Sequence, residues 1–214
     1  MSMKSMPVYK EGEEIVNAMT HGFAAILSVF GSVLLIRHVY GKSNFTRLFG
    51  ILVFSISMIT LYTVSMLYHG LGDGEMKRIM RYSDHCSVFV LIAGTYTPFT
   101  LTVLSGPSGT LILIIVWTIA LIGIFGTIFF FEAMDKMDVY LYIAMGWTVL
   151  ISLKTLIERI PRNGLYLLLA GGFSYTIGTY FFVNDKYVKF YHATFHIFII
   201  IGTILHYFAV WNYC

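Results

Sequence analysis

The segment that decides the fold is "KFYHATFHIFIIIGTILHYFAVW", residues 189–211. Most of its residues are apolar, and the run is long enough to cross a bilayer, for which about 20 mostly apolar residues suffice. Two histidines, His192 and His196, nevertheless stand four apart at its head. Because an unpaired polar group in hydrocarbon costs free energy, we expect these imidazoles to have partners and a function.

The composition extends this reading to the whole chain. Of the 214 residues, 57% are hydrophobic and 12% are charged, whereas a soluble domain carries about 25% charged residues. In lipid only helices and closed barrels satisfy the backbone hydrogen bonds, and the long continuous apolar runs do not alternate as barrel strands do. The sequence therefore predicts an all-α integral membrane protein. Its slightly positive charge does not indicate a nucleic-acid partner.

The apolar runs predict a bundle of seven transmembrane helices. They are expected at about 20–39, 46–69, 83–104, 109–131, 138–158, 163–183 and 188–211. Residues 1–19 then form a polar N-terminal segment, and residues 20–214 form one transmembrane domain. The first 21 residues lack the apolar core and the small-residue cleavage site of a signal peptide, so no cleaved signal is expected.

Lysine and arginine residues in the loops predict the orientation. The N-terminal side carries Lys4, Lys10, Lys77, Arg78, Arg81, Lys136, Lys186 and Lys189. The opposite side carries fewer, namely Arg37, Lys42, Arg47, Lys154, Arg159 and Arg162. The excess predicts a cytoplasmic N-terminus and, with an odd number of spans, a C-terminus outside. Cys86 and Cys214 then lie on opposite sides of the bilayer, so no internal disulfide is expected.

The same count of spans brings distant polar residues to one face of the membrane. His69 ends the second predicted helix, Asp84 begins the third and His192 begins the seventh. His192 and His196 project from one side of their helix, and Ser65 and His69 have the same spacing. Three imidazoles and a carboxylate around one point suit a metal such as zinc, which in catalytic sites commonly has three protein ligands and one open position.

The remaining histidines have other expected roles. A histidine within a membrane helix is often a packed polar residue rather than a ligand, and that alternative applies to each one here. His38 is read as interfacial. His206 lies about 15 Å along the helix from His196 at 1.5 Å per residue, so it is excluded from the site. His85 points about 100° away from Asp84 and is a weaker candidate. His21 either lines the site or meets headgroups.

Four segments of the sequence together resemble the hemolysin III family, the bacterial branch of the progestin and adiponectin receptor group. They are "EEIVNAMTHG", "SMLYH", "RYSDHCSVFVLIAGTYTPF" and "YHATFHIF", found in this order along nearly the whole chain. The resemblance implies seven helices with a cytoplasmic N-terminus and a zinc ion held by His69, His192 and His196. It also implies that Asp84 hydrogen-bonds a water on the metal and that Ser65 lies beside it. The chain lacks the long N-terminal extension of the receptor members, which argues against an adiponectin-like signalling role.

The family resemblance and the residues lead to several functional hypotheses. The first is a zinc-dependent hydrolase in the plasma membrane, acting on a lipid amide or ester such as a ceramide-like lipid, with Asp84 as water-orienting group or general base. The second is a non-enzymatic membrane sensor or regulator with structural zinc. A cytolytic, hemolysin-like protein is a third hypothesis, and haem binding by paired histidines is a fourth. Asp84 can alternatively ligate the metal directly or cap its helix.

Overall fold

Eight α-helices form the described part of the chain, residues 12–41 and 44–214, in a computed structural model. They are α1 (Glu13–Val39), α2 (Phe45–Gly70), α3 (Glu75–Leu101), α4 (Pro107–Phe129), α5 (Phe131–Gly146), α6 (Leu153–Arg159), α7 (Arg162–Val183) and α8 (Tyr191–Tyr213). A 3-10 turn, Thr148–Ser152, joins α5 to α6, so these three elements make one long helical segment. The all-helical prediction is confirmed.

Six segments in the described ranges are long and apolar enough to cross a membrane. They are α1, α2, α4, the α5–α6 segment, α7 and α8. Helix α3 has 27 residues, but five charged residues fall among its first ten, and it is not one of the six. A multi-pass membrane protein is therefore established, while the predicted count of seven spans is not.

The helices pack as a bundle in which α2 lies between α1 and α3, and α8 packs on α7 and α1. Helices α2 and α3 approach closely where Gly94 faces Ser57. A residue with a Cβ atom would not fit at Gly94, since that atom would overlap the Ser57 hydroxyl. Large apolar side chains such as Met19, Phe23 and Ile26 remain more than 60% exposed on the outer face of α1. Such a face suits contact with lipid tails rather than water.

Several helices begin earlier than predicted, because apolarity marks the hydrocarbon layer and not the helix end. Helix α1 begins at Glu13 rather than 20, α3 at Glu75 rather than 83, and α5 at Phe131 rather than 138. The additional turns carry charged residues that pair across helices, as Arg81 does with Asp135 at 3.0 Å. Of the predicted polar segment 1–19, residues 1–11 lie outside the described residues, and the remainder is mostly helix. Lys4, Lys10 and Lys42 of the charge count also lie outside them.

Helix α3 runs from one end of the bundle to the other. Near its start, the Lys77 ammonium reaches Glu14 at the head of α1. Just past its end, the Thr102 side chain hydrogen-bonds the Cys214 thiol, next to the last residue of α8. Burial raises the pKa of the Cys214 thiol to about 12. Both Cys86 and Cys214 are free thiols, so the prediction of no disulfide between them is confirmed.

Candidate metal centre

Three buried histidines meet at the end of the bundle where α1, α3 and α8 begin. His69 occupies the last turn of α2, and His192 and His196 occupy the first two turns of α8. One side-chain nitrogen from each lies within 4.8 Å of the other two, close enough for one metal ion. The spacing of four residues in α8 places two rings on one side of that helix, as predicted, with centroids 4.7 Å apart.

Each of the three rings has its Nδ1 atom held by a hydrogen bond. His69 Nδ1 donates to Glu14 Oε2 at 2.5 Å, and His192 Nδ1 donates to Asp185 Oδ2 at 2.7 Å. The Thr20 hydroxyl donates its hydrogen to the backbone carbonyl oxygen of Asn17. The hydroxyl oxygen of Thr20 therefore accepts the hydrogen bond from His196 Nδ1, at 3.0 Å. Such partners fix the tautomer and orientation of a ligating histidine. In all three rings Nε2 is therefore the nitrogen that a metal would engage.

Glu14 links the cluster to a cation. Its second carboxylate oxygen accepts from Lys77 Nζ at 2.6 Å, and the same ammonium donates to the carbonyl oxygen of Leu71 at 3.0 Å. Lys77 is buried, so its charge depends on this carboxylate for compensation. The pair joins the first turns of α1 and α3, and it holds the Glu14 carboxylate against His69.

Asp84 and Ser65 lie near the histidines without belonging to the cluster. The half-buried Asp84 carboxylate is close enough to interact electrostatically with His69, but the three-residue group in the described ranges contains histidines alone. Ser65 is buried one helical turn before His69, on the inner face of α2. Their catalytic roles remain predictions.

His21 lines the site, which favours one of its two expected roles. Its buried ring stacks on that of His196, with centroids 3.5 Å apart and planes 13° from parallel. A histidine binds a metal through an in-plane nitrogen at about 2.0–2.1 Å. An ion in the plane of His196 therefore lies too far from the plane of His21 for both rings to share it.

The other histidines lie apart from the cluster. His85 Nδ1 donates to Asp138 Oδ2 at 2.8 Å, which ties α3 to α5. His38 stacks on Trp211 near the end of α8, and His206 Nε2 donates to the carbonyl oxygen of Leu168 at 3.3 Å. The exclusion of His206 and the weaker standing of His85 agree with these positions.

Sequence reasoning missed the residues that orient the three histidines, namely Glu14, Thr20 and Asp185. Glu14 and most of the turn that follows it were assigned to a polar segment outside the membrane domain, and Asp185 to a loop. The available signal was an acidic residue at or just before the start of two of the histidine-bearing helices, Glu14 for α1 and Asp185 for α8. Ligating histidines usually donate their second N–H to a carboxylate or carbonyl.

An apolar groove reaches the cluster from the side of α1 and α2. It encloses about 1090 Å³ and includes His69 among its lining residues. Its polar end contains Glu14, Asp73 and Lys77, and its apolar wall runs along α1 to Val29. The groove is therefore polar near the cluster and apolar along α1.

The donor set fits a zinc ion. Imidazole nitrogen is a common zinc ligand, and three protein ligands with an open position are typical of catalytic zinc. The three rings are buried and each has its Nδ1 atom engaged by another residue, while no fourth histidine, cysteine or carboxylate joins the group within the part of the chain that the structure describes.

The apolar helices and the buried histidine cluster define a multi-pass integral membrane protein with a candidate metal centre. The chain belongs to the family described as Haemolysin-III related, which matches residues 9–207. It is 39% identical to Hemolysin-3 of Bacillus cereus over 201 residues, covering 94% of this chain and 91% of the relative. It is 38% identical to the Hemolysin-3 homolog of Bacillus subtilis (strain 168), covering 94% of both. The predicted family resemblance is confirmed.

A more distant relative is found in mammals. The chain is 24% identical to the human monocyte to macrophage differentiation factor over 208 residues, covering 94% of this chain and 84% of the relative. The match extends over nearly the whole bundle, which agrees with the wider receptor group suggested by the sequence segments.

Proposed function

We propose that this protein is a zinc-dependent hydrolase that cleaves an amide or ester bond of a lipid within the membrane. The observation that carries the proposal is the cluster of three buried histidines, each oriented through Nδ1 by a separate partner. His69, His192 and His196 would hold the ion through Nε2. Bound zinc would supply a Lewis acid and lower the pKa of water to about 7.

The residues around the cluster have distinct roles in this proposal. Asp84 enters from α3, which carries none of the three histidines, and its carboxylate would accept a hydrogen bond from the attacking water and hold its proton. Ser65 would lie beside the metal, one helical turn before His69, with its hydroxyl as a hydrogen-bond donor to the bound substrate. Glu14 and Asp185 would keep the His69 and His192 rings in the ligating tautomer.

The location of the site supports the proposed substrate class. The groove along α1 and α2 connects lipid-facing side chains to His69, so an amphiphile could place its chain against α1 and its polar group near the cluster. A membrane lipid with an amide or ester bond, such as a ceramide-like lipid, matches this geometry. The proposed location is the plasma membrane.

Seven spans with a cytoplasmic N-terminus complete the proposal. Helix α3 extends between the two ends of the bundle, which supports counting it as a span in addition to the six apolar segments. The charged first turns of α3 would then lie at the cytoplasmic face, beside the histidine cluster. The C-terminus would lie outside.

A second candidate is a non-enzymatic sensor or regulator in which zinc is structural. It is favoured by the way the cluster and its partners tie α1, α2 and α8 together, since an ion bound there would cross-link three helices. The names of the two bacterial relatives support cytolysis as a third candidate, which predicts single-channel conductance from the purified protein.

The test combines metal analysis of detergent-purified protein with an untargeted comparison of lipids in cells with and without the gene. We expect about one zinc per chain, and a lipid amide or ester that accumulates when the gene is absent. His69→Ala should behave like the absent gene, while His38→Ala, at the other end of the bundle, should behave like the wild type. Protein without zinc would refute the metal centre. Zinc-loaded protein with no lipid change would favour the sensor.

A further inference from the structure

Asn17 and His21 on α1 present a group of buried polar side-chain atoms beside the histidine cluster. Asn17 is fully buried and His21 is 3% exposed. Neither the side-chain amide of Asn17 nor either ring nitrogen of His21 has a hydrogen-bond partner among the described residues. Leaving one such group unsatisfied costs about 1–3 kcal/mol, so four atoms together call for a ligand or ordered water.

These atoms border the histidine cluster. The two residues are four apart and share one side of α1. The His21 ring stacks on His196, and its edge meets Tyr62 at a centroid distance of 5.1 Å. Thr20 lies between them in sequence. Its hydroxyl hydrogen-bonds the backbone carbonyl oxygen of Asn17 and the Nδ1 atom of His196. One turn of α1 therefore supplies both the support for a ligand and the unsatisfied atoms beside it.

The chemistry of these atoms selects the kind of group that would bind. Asn17 offers two N–H donors and a carbonyl acceptor, and a neutral imidazole offers one donor and one acceptor. The nearby carboxylates, Glu14 and Asp185, are already engaged with His69 and His192. Burying a charged group without a counter-charge would be costly, whereas a neutral donor–acceptor group satisfies all partners.

We propose that Asn17 and His21 form a binding subsite beside the three-histidine cluster for a neutral group that both donates and accepts hydrogen bonds, such as a hydroxyl or carboxamide of a membrane lipid. The subsite rests on the proposed function, because it places the polar part of a substrate next to the ion. It adds two specificity-determining residues that coordinate no metal. The rival occupant is ordered water alone.

The test uses full-length protein in detergent, loaded with Co²⁺ so that the site is visible by absorption spectroscopy. Acetohydroxamate is the probe, because its two oxygens bind a metal, whose charge compensates that of the anion, while its neutral N–H and the second lone pair of its carbonyl oxygen stay available to Asn17 and His21. His21→Phe keeps a ring to stack on His196, and Asn17→Leu keeps the side-chain size. The control is Ser32→Ala, which removes a buried hydroxyl farther along the same helix that likewise has no hydrogen-bond partner within residues 12–41 and 44–214.

Both variants should bind Co²⁺ stoichiometrically and weaken acetohydroxamate binding by about 3- to 10-fold each, the range for losing one net hydrogen bond. Ser32→Ala should bind the probe as the wild type does. Wild-type affinity in both variants would assign the space to water and overturn the subsite. Loss of Co²⁺ from both variants would make these residues supports of the metal and also overturn it. Wild-type protein that binds Co²⁺ but not the probe refutes the subsite alone, and wild-type protein that binds no metal refutes the proposed function as well.

Discussion

Removing the carboxylate behind His192 should weaken metal binding without removing a ligand. Asp185 Oδ2 accepts a hydrogen bond from His192 Nδ1 at 2.7 Å, and the Asp185 side chain is 7% exposed. This short, charge-assisted bond orients the ring and increases the basicity of its Nε2 atom. We expect Asp185→Ala to lower zinc affinity about 10- to 100-fold, the usual cost of losing such a partner. That range corresponds to about 1.4–2.7 kcal/mol of binding free energy.

The assay is a competition titration of purified protein against a zinc chelator of known affinity. Asp185→Asn should fall between the wild type and Asp185→Ala, because its carbonyl oxygen can still accept the hydrogen bond but carries no charge. Asp135→Ala is the matched control, since Asp135 pairs with Arg81 rather than with a ligand. Zinc affinity within twofold of the wild type in Asp185→Ala would refute the claim that this carboxylate supports a metal ligand.

Four further outcomes are expected. Replacing His192 or His196 with Ala should remove most of the zinc measured by elemental analysis, and stoichiometric zinc in both variants would show that the ligands are wrong. Asp84→Asn should retain zinc while any lipid hydrolysis falls about 10²–10⁴-fold; lost zinc would instead indicate direct ligation, and full activity would remove Asp84 from the mechanism. An N-terminal tag should be cytoplasmic and a tag after Cys214 outside, so accessibility of both from one side would refute seven spans. The Cys214 pKa of about 12 keeps the folded thiol protonated at pH 8, and a maleimide should label it only slowly. Detergent-unfolded chain, with an ordinary pKa of about 8.5, should label rapidly at the same pH.

The sequence was sufficient to predict the main members of the cluster. The spacing of His192 and His196 directly encodes two rings on one side of a helix, and the alternation of spans places His69 at the same end of the bundle. Such predictions succeed because helical geometry and the direction of each span leave few alternatives.

The supporting residues were not predictable from the same signals. Asp185 lies outside α8 and reaches His192 only through the loop conformation before it, where Phe190 has a left-handed backbone with φ 64° and its N–H donates to Glu13. The stacking of His21 on His196 depends on how α1 packs against α8, which periodicity within either helix does not specify. The start of α1 was placed too late because its first turn is polar, although Glu13 and Asn17 are buried and Glu14 hydrogen-bonds His69.

The cluster joins the two ends of the chain, and this has a consequence for how the protein is made. Thr20 and His196, which hydrogen-bond each other, are 176 residues apart in sequence. During synthesis α1 and α2 enter the membrane long before α8 exists, so Glu14 and His69 can pair early while the other two histidines of the cluster are still untranslated. The three-histidine cluster can therefore form only after α8 has been inserted. Chains that stop before α8 would lack two of the three clustered histidines, so we expect them to bind no metal there.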